Sequence, residues 1–107
     1  MVTDRPDADI DRELEELPVE LRWREWMRRI EAVLFASASP VAREDLARVV
    51  GQGVSVDLLI EDLQADLAER SFEIACVANA WMLRTRPTYA AVIRVAADVG
   101  GQDLDLR

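Results

Sequence analysis

A chain of 107 residues can bury one modest hydrophobic core and is too short for two such domains joined by a linker. Half of its residues are hydrophobic and 32% are charged, the ordinary balance of a soluble globular protein. There is no histidine and a single cysteine, Cys76, which excludes an intramolecular disulfide, a zinc site and histidine-based acid/base chemistry.

The net charge of −8 is unevenly placed. Within residues 1–20, Asp4, Asp7, Asp9, Asp11, Glu13, Glu15, Glu16 and Glu20 stand against only Arg5 and Arg12, and residues 1–16 read as an acidic tail. With almost no apolar residue before Leu14, Met1 to about Glu13 cannot offset its ordering entropy and is expected to be disordered. Leu14 and Leu17 open a short lead-in that stops at Pro18. No apolar run approaches the roughly 20 residues of a membrane span, and the N-terminus has no basic and apolar leader, so the expected location is cytoplasmic and no membrane partner is expected.

From Val19 the pattern turns helical. Trp23, Trp26, Met27, Ile30, Val33 and Leu34 recur at i, i+3, i+4, with Arg22, Arg24, Glu25, Arg28, Arg29 and Glu31 largely on the other side. This first helix should end near Ser37, because Ser37-Ala38-Ser39-Pro40 supplies a turn and the residue before proline disfavours the helical region. A second helix, about Ala42 to Val50, carries Leu46, Val49 and Val50 on one face and stops at Gly51, which is expected to form a left-handed cap. After the turn Gly51-Gln52-Gly53, Ser55 is the N-cap of a third helix, with Asp57 in its first turn and Val56, Leu59, Ile60, Leu63 and Leu67 as its buried stripe.

Strand character follows. Phe72, Ile74 and Cys76 alternate with Glu73, Ala75 and Val77, Ala78-Asn79-Ala80 is a three-residue turn, and Trp81 and Leu83 alternate with Met82 and Arg84. Pro87 fits the first position of a last helix running through Tyr89, Val92, Ile93 and Val95 to about Val99. Residues 100–107 read as a linker or a frayed end. The fold class is therefore α+β, a winged helix-turn-helix over residues 17–99 with three helices, a two-stranded wing and an extra C-terminal helix.

Ile30-Glu31-Ala32-Val33-Leu34-Phe35-Ala36, then Pro40-Val41 and Leu46-Ala47-Arg48-Val49-Val50-Gly51, resembles the opening of the segregation and condensation protein B (ScpB) family. Trp81-Met82-Leu83-Arg84-Thr85-Arg86-Pro87-Thr88-Tyr89-Ala90 resembles the end of that family's first winged-helix domain, where a wing strand runs into a Thr-Arg-Pro helix start. The resemblance covers about Leu17 to Ala97. It implies a non-enzymatic accessory subunit of a bacterial SMC–kleisin (condensin-like) complex in chromosome condensation and segregation, associated with the nucleoid through the complex. It implies a homodimer and a kleisin (ScpA-like) partner. Family members usually carry two winged-helix domains, the first for homodimerisation and the second for much of the kleisin contact; this chain ends where the second would begin, so dimerisation is the property carried over. Ser39 stands where an acidic residue is expected before Pro40, and Ala42 where a capping hydroxyl is common.

The charge of the third helix points the same way. Between Ser55 and Glu69 lie Asp57, Glu61, Asp62, Asp66 and Glu69 and no basic residue. A duplex presents a phosphate charge about every 1.7 Å along its axis, and this face would repel it, so any DNA contact is expected to be indirect or weak. Those acids equally describe a solvated helix face. The arginines gather on the first helix (Arg22, Arg24, Arg28, Arg29) and at the wing's exit (Arg84, Arg86), where ion pairing with neighbours such as Glu25 or weak phosphate contact are the alternatives.

The candidate protein interface is Leu21, Trp23, Met27 and Leu58. Trp23, with Leu21 and Met27, extends the stripe past the end of a small domain, and an aromatic that outruns its core often anchors an interface, here a dimer. Leu58 lies off the buried face of the third helix among acids. Cys76 is expected to be a buried small hydrophobe in its strand. With no phosphate loop and no nucleophile beside a base, no catalytic residue, metal, cofactor or small-molecule substrate is expected. The alternative function is a small winged-helix DNA-binding transcriptional regulator.

Overall fold

The computed structural model describes residues 10–100, the last two by their backbone alone. Its elements in chain order are α1 (Val19–Ala36), β1 (Val41–Ala42), α2 (Arg43–Ala47), α3 (Val56–Asp66), β2 (Phe72–Val77), β3 (Ala80–Thr85), a short 3-10 turn (Pro87–Tyr89) and α4 (Ala90–Gly100). The winged-helix architecture read from the sequence is present. The sheet gains one short strand: β1 pairs antiparallel with β3, so the order is β1-β3-β2 and the two-stranded wing becomes a three-stranded sheet. The residues after Pro40 are extended, which lets Val41 pair with Trp81 and ties the corner between α1 and α2 to the wing.

The core is the meeting of three apolar stripes with one sheet face. Ile30 and Leu34 of α1, Leu46 of α2 and Val50 of the connection that follows it are fully or almost fully buried against Leu59, Ile60 and Leu63 of α3 and Ile74 and Leu83 of the sheet. α3 starts where Ser55 allows it: the serine side chain accepts a hydrogen bond from the Leu58 amide at 3.1 Å, one of the first-turn donors that the helix itself cannot satisfy. Ala42, in the same position before α2, makes no side-chain cap, and that helix is only five residues long.

Three sequence expectations are corrected. First, α2 ends at Ala47, and Gly51 is not the left-handed cap; among the described residues the glycine with positive φ is Gly53, at 80°. Gly51 is buried, and a Cβ built on it would lie 2.8 Å from Cζ2 of Trp26, so glycine is needed there for the close approach of the indole. Second, the hairpin turn has two residues, not three. Val77 pairs with Ala80, and Ala78 and Asn79 both take positive φ, 52° and 66°, as a type I′ turn requires. Third, Cys76 is exposed. It shares a sheet face with Ile74, but the hairpin tip runs beyond the helices that would cover it.

The acidic tail is also partly ordered. Residues 1–9, and the expected linker from 101 to 107, lie outside the described residues. From Ile10 to Leu17, however, the chain is laid on the domain. Leu14 is 9% exposed and belongs to the core. Arg12 donates from Nε to the Val50 carbonyl at 2.8 Å and from Nη2 to the Ala47 carbonyl at 2.9 Å. The Trp26 indole N–H donates to the Arg12 carbonyl at 2.8 Å, and the Gln52 amide donates to the Glu13 carboxylate at 3.0 Å. Composition underestimated this segment because one leucine and a guanidinium bound to main-chain carbonyls hold it, where the expectation counted apolar residues alone.

Two outcomes follow for stability. Ala78→Asn should raise it by about 0.5–1 kcal/mol, because asparagine tolerates the left-handed conformation better than alanine; the thermal midpoint measures this. Gly51→Ala should lower it by about 1–3 kcal/mol in denaturant titration, as the added methyl displaces the Trp26 ring.

Candidate protein-interaction surface

The outer face of α3 carries Asp57, Leu58, Glu61, Asp62 and Asp66, all exposed. Two of these acids are held from neighbouring elements. Arg43, at the start of α2, donates from Nε and Nη2 to one Asp57 oxygen at 3.0 and 2.9 Å. Trp23 of α1 donates its indole N–H to Asp62 at 2.7 Å. Glu61 and Asp66 add further negative charge to the same face.

Most arginines expected as a basic surface are engaged within the chain. Arg22 donates to the carbonyls of Leu17 and Glu15 at 2.8 and 3.1 Å. Arg29 reaches the carbonyls of Asp11 and Val49, both at 3.0 Å, and Glu25 at 3.4 Å. At the wing, Arg84 and Arg86 share Glu73, at 3.0 and 3.1 Å, and Arg86 also donates to the carbonyls of Leu67 and Arg70, each at 2.8 Å. Arg24, Arg28 and Arg70 line a shallow depression of about 210 Å³ together with Glu31 and Asp66, so that patch is of mixed sign.

The four candidate interface residues separate. Leu21 and Leu58 are 48% and 53% exposed, and Val19, which the sequence reading did not single out, is exposed beside the start of α1. Trp23 is half-buried: it packs against the core, meets the Trp26 ring edge to face at 6.5 Å and is fixed by Asp62. Met27 is 8% exposed and belongs to the core, reaching the surface only at the wall of the depression beside Arg24 and Arg28. Its place in the i, i+3, i+4 stripe was the signal for burial, and that signal also applied to Trp23.

Other apolar surface was missed. Phe35, at the end of α1, and Val92 and Val95, in α4, are among the most exposed large hydrophobic residues described. The run Ala90 to Val95 contains one charge, Arg94, and that apolar density was the available signal. Among the described residues no group of three or more Asp, Glu or Cys side chains could hold a metal ion, and no helix is long and apolar enough to cross a membrane.

The sequence profile of the segregation and condensation complex subunit ScpB matches residues 28–105. The chain belongs to the ScpB family. That match runs from the middle of α1 through α4 and so includes the whole helix-turn-helix, the wing and the final helix. No curated protein matches the chain. Among solved structures it is similar to a conserved hypothetical protein from Chlorobium tepidum, at 22% identity and a TM-score of 0.63, over 71% of this chain and 50% of that one. It is similar also to ScpB from Mycobacterium tuberculosis, at 20% identity and a TM-score of 0.61, over 79% of this chain and 55% of that one. At such identities the likeness is one of fold, and the chain spans about half the length of each structure.

The placement of Trp23 sets an expected outcome. Trp23→Ala should cost about 2–3 kcal/mol of folding stability in urea followed by circular dichroism, through lost packing and the lost bond to Asp62. A residue serving only an interface would leave the folding curve in place.

Proposed function

We propose that the chain is a non-enzymatic, homodimerising interaction module of a bacterial SMC–kleisin complex, acting in chromosome condensation and segregation at the nucleoid, in the cytoplasm. The observation that carries this reading is the ScpB family match over a winged-helix domain whose α3 face is acidic. In that domain the element best placed to enter a groove repels phosphate, while the arginines that could compensate are largely bound to carbonyls and carboxylates. The exposed surface combines an acidic α3 face, a patch of mixed sign around Arg24, Arg28 and Arg70, and scattered apolar residues, a combination suited to protein partners.

The partner is a kleisin of the ScpA kind. Leu21 on α1 and Leu58 on α3 offer it exposed apolar contacts, Leu58 with Glu61 and Asp62 one turn further along its helix, chemistry that fits an amphipathic segment with basic flanks. Trp23 braces α3 from α1 through its bond to Asp62.

Calorimetric titration with the central segment of the kleisin encoded in the same genome should give binding at about micromolar Kd or better, weakened at least tenfold by Leu58→Glu. A gel shift with duplex DNA at roughly 50–100 mM salt should give no stable complex. Tight, salt-sensitive duplex binding together with silence toward the kleisin would sink the reading and favour a transcriptional regulator.

A further inference from the structure

α4 is the element its own domain covers least. Its main packing within the chain is on the Pro87–Tyr89 turn from which it springs. Val92 and Val95 are 64% and 61% exposed, and with Ala96 they fall on one side at helical spacing. Arg94 falls on the opposite side, and Asp98, three residues beyond Val95, borders the stripe at its far end, so the residues of the stripe itself are uncharged. Ile93 and Ala97, on the remaining side, are half-buried.

Beside the root of this helix lies an apolar groove of about 290 Å³. Ala32 and Phe35 of α1, Phe72 of β2 and Leu83 of β3 form it, with Arg28 and Glu31 at its rim. Phe72 pairs with Thr85, the last residue of β3, so the groove is close to the point where the chain leaves the sheet for α4. Phe35 is 73% exposed.

We propose that α4 is a docking arm for a second copy of this chain, its Val92–Val95 stripe seating in the Phe35–Phe72–Leu83 groove of that copy, and reciprocally. This rests on the homodimer reading above and gives it a surface. A projecting apolar helix and an apolar groove at its root are self-complementary: one twofold axis satisfies both at once, each copy giving its helix and receiving its partner's. Charge selects the same face. Two chains of net charge −8 repel, and pairing through α3 would set acid against acid, whereas the α4 stripe carries no charge and the groove rim carries one of each sign. The area suffices as well. Phe35, Tyr89, Val92 and Val95, counted on both copies, bring the buried surface to the order of 1,000 Å², where specific interfaces begin.

The test is the mass of the whole chain by light scattering and sedimentation over about 1–100 μM, the range such a contact populates. The wild type should be a dimer. Val92→Glu with Val95→Glu, and separately Phe35→Glu, should each raise the dimer dissociation constant at least tenfold with circular dichroism unchanged, and Leu58→Glu should leave the dimer intact. If glutamate in α4 disturbs folding, Val92→Ser with Val95→Ser should still weaken the dimer.

A monomeric wild type overturns the proposal, as does a dimer that survives both the α4 and the Phe35 substitutions. So does a monomer whose kleisin binding is lost on Val95→Glu, because the stripe then belongs to the kleisin. Titrating the same variants with the kleisin segment separates the two readings: monomeric variants that still bind it leave the proposed function standing, and a dimer disrupted as expected but silent toward the kleisin removes that function and keeps the docking arm.

Discussion

Burial of a single stripe on α1 is the constraint from which the rest of the domain follows. Ile30 and Leu34, one helical turn apart, are 0% and 1% exposed. At about 1.5–3 kcal/mol for each buried side chain, the pair approaches the lower end of the 5–15 kcal/mol by which whole domains are stable. No one neighbour could cover such a stripe. Leu46 and Val50 close it from one side, Leu59, Ile60 and Leu63 from α3, and Ile74 and Leu83 from the sheet. The helix-turn-helix and the wing are thus two halves of one enclosure. Trp26 extends the stripe toward the N-terminus, and its ring reaches over Gly51 in the turn between α2 and α3, where a side chain would collide with it.

Arginine completes what apolar packing leaves open. The last carbonyls of a helix have no partner within it and sit at the negative end of its dipole. After α2 they are met by Arg12 and Arg29, and after α3 by Arg86, each guanidinium spanning two or more acceptors as its planar fork allows. Arg12 arrives from the acidic segment and Arg86 from the end of the wing, so the same bonds that satisfy the helix ends fasten the periphery of the fold to its centre. The consequence reaches function: a guanidinium committed to carbonyls and to Glu73 is withdrawn from the surface that would meet phosphate.

Most of the element order was legible in the sequence because the α1, α3 and hairpin residues obey their periods without interruption. Ser55 marked the start of α3 through a capping chemistry that needs only local geometry. Several of the misreadings share one cause, namely contacts between residues far apart in sequence, whereas the two-residue hairpin turn was missed because Ala78 takes a left-handed conformation its residue type does not advertise. Gly51 answers to Trp26, β1 exists only through its pairing with β3, and the Asp11–Leu17 segment is ordered by the backbone that follows α2. Cys76 kept its strand alternation and lost its cover, since the length of a hairpin relative to the helices beneath it is not written in either strand. The candidate site was legible to a similar degree. Leu21 and Leu58 are exposed, Met27 is core, and Trp23 stands between, because a helical stripe does not announce where the core beneath it ends.

A winged helix offers its surroundings one prominent helix and a hairpin, and nothing in that geometry specifies the partner. Charge does. On α3 the exposed positions between the buried ones are filled by Asp57, Glu61, Asp62 and Asp66, and this placement leaves the core stripe untouched. Folding therefore places no demand on the sign of that face, whereas a polyanionic ligand would demand that it be positive. Asp57 and Asp62 bind inward to Arg43 and Trp23, so part of the acidic face also braces the packing of α3 on its neighbours. An element whose outer face is given to bracing and to negative charge is compatible with the protein contact proposed above and poorly matched to a polyanion, and exposed apolar residues stand at the start of α1, on α3 and along α4.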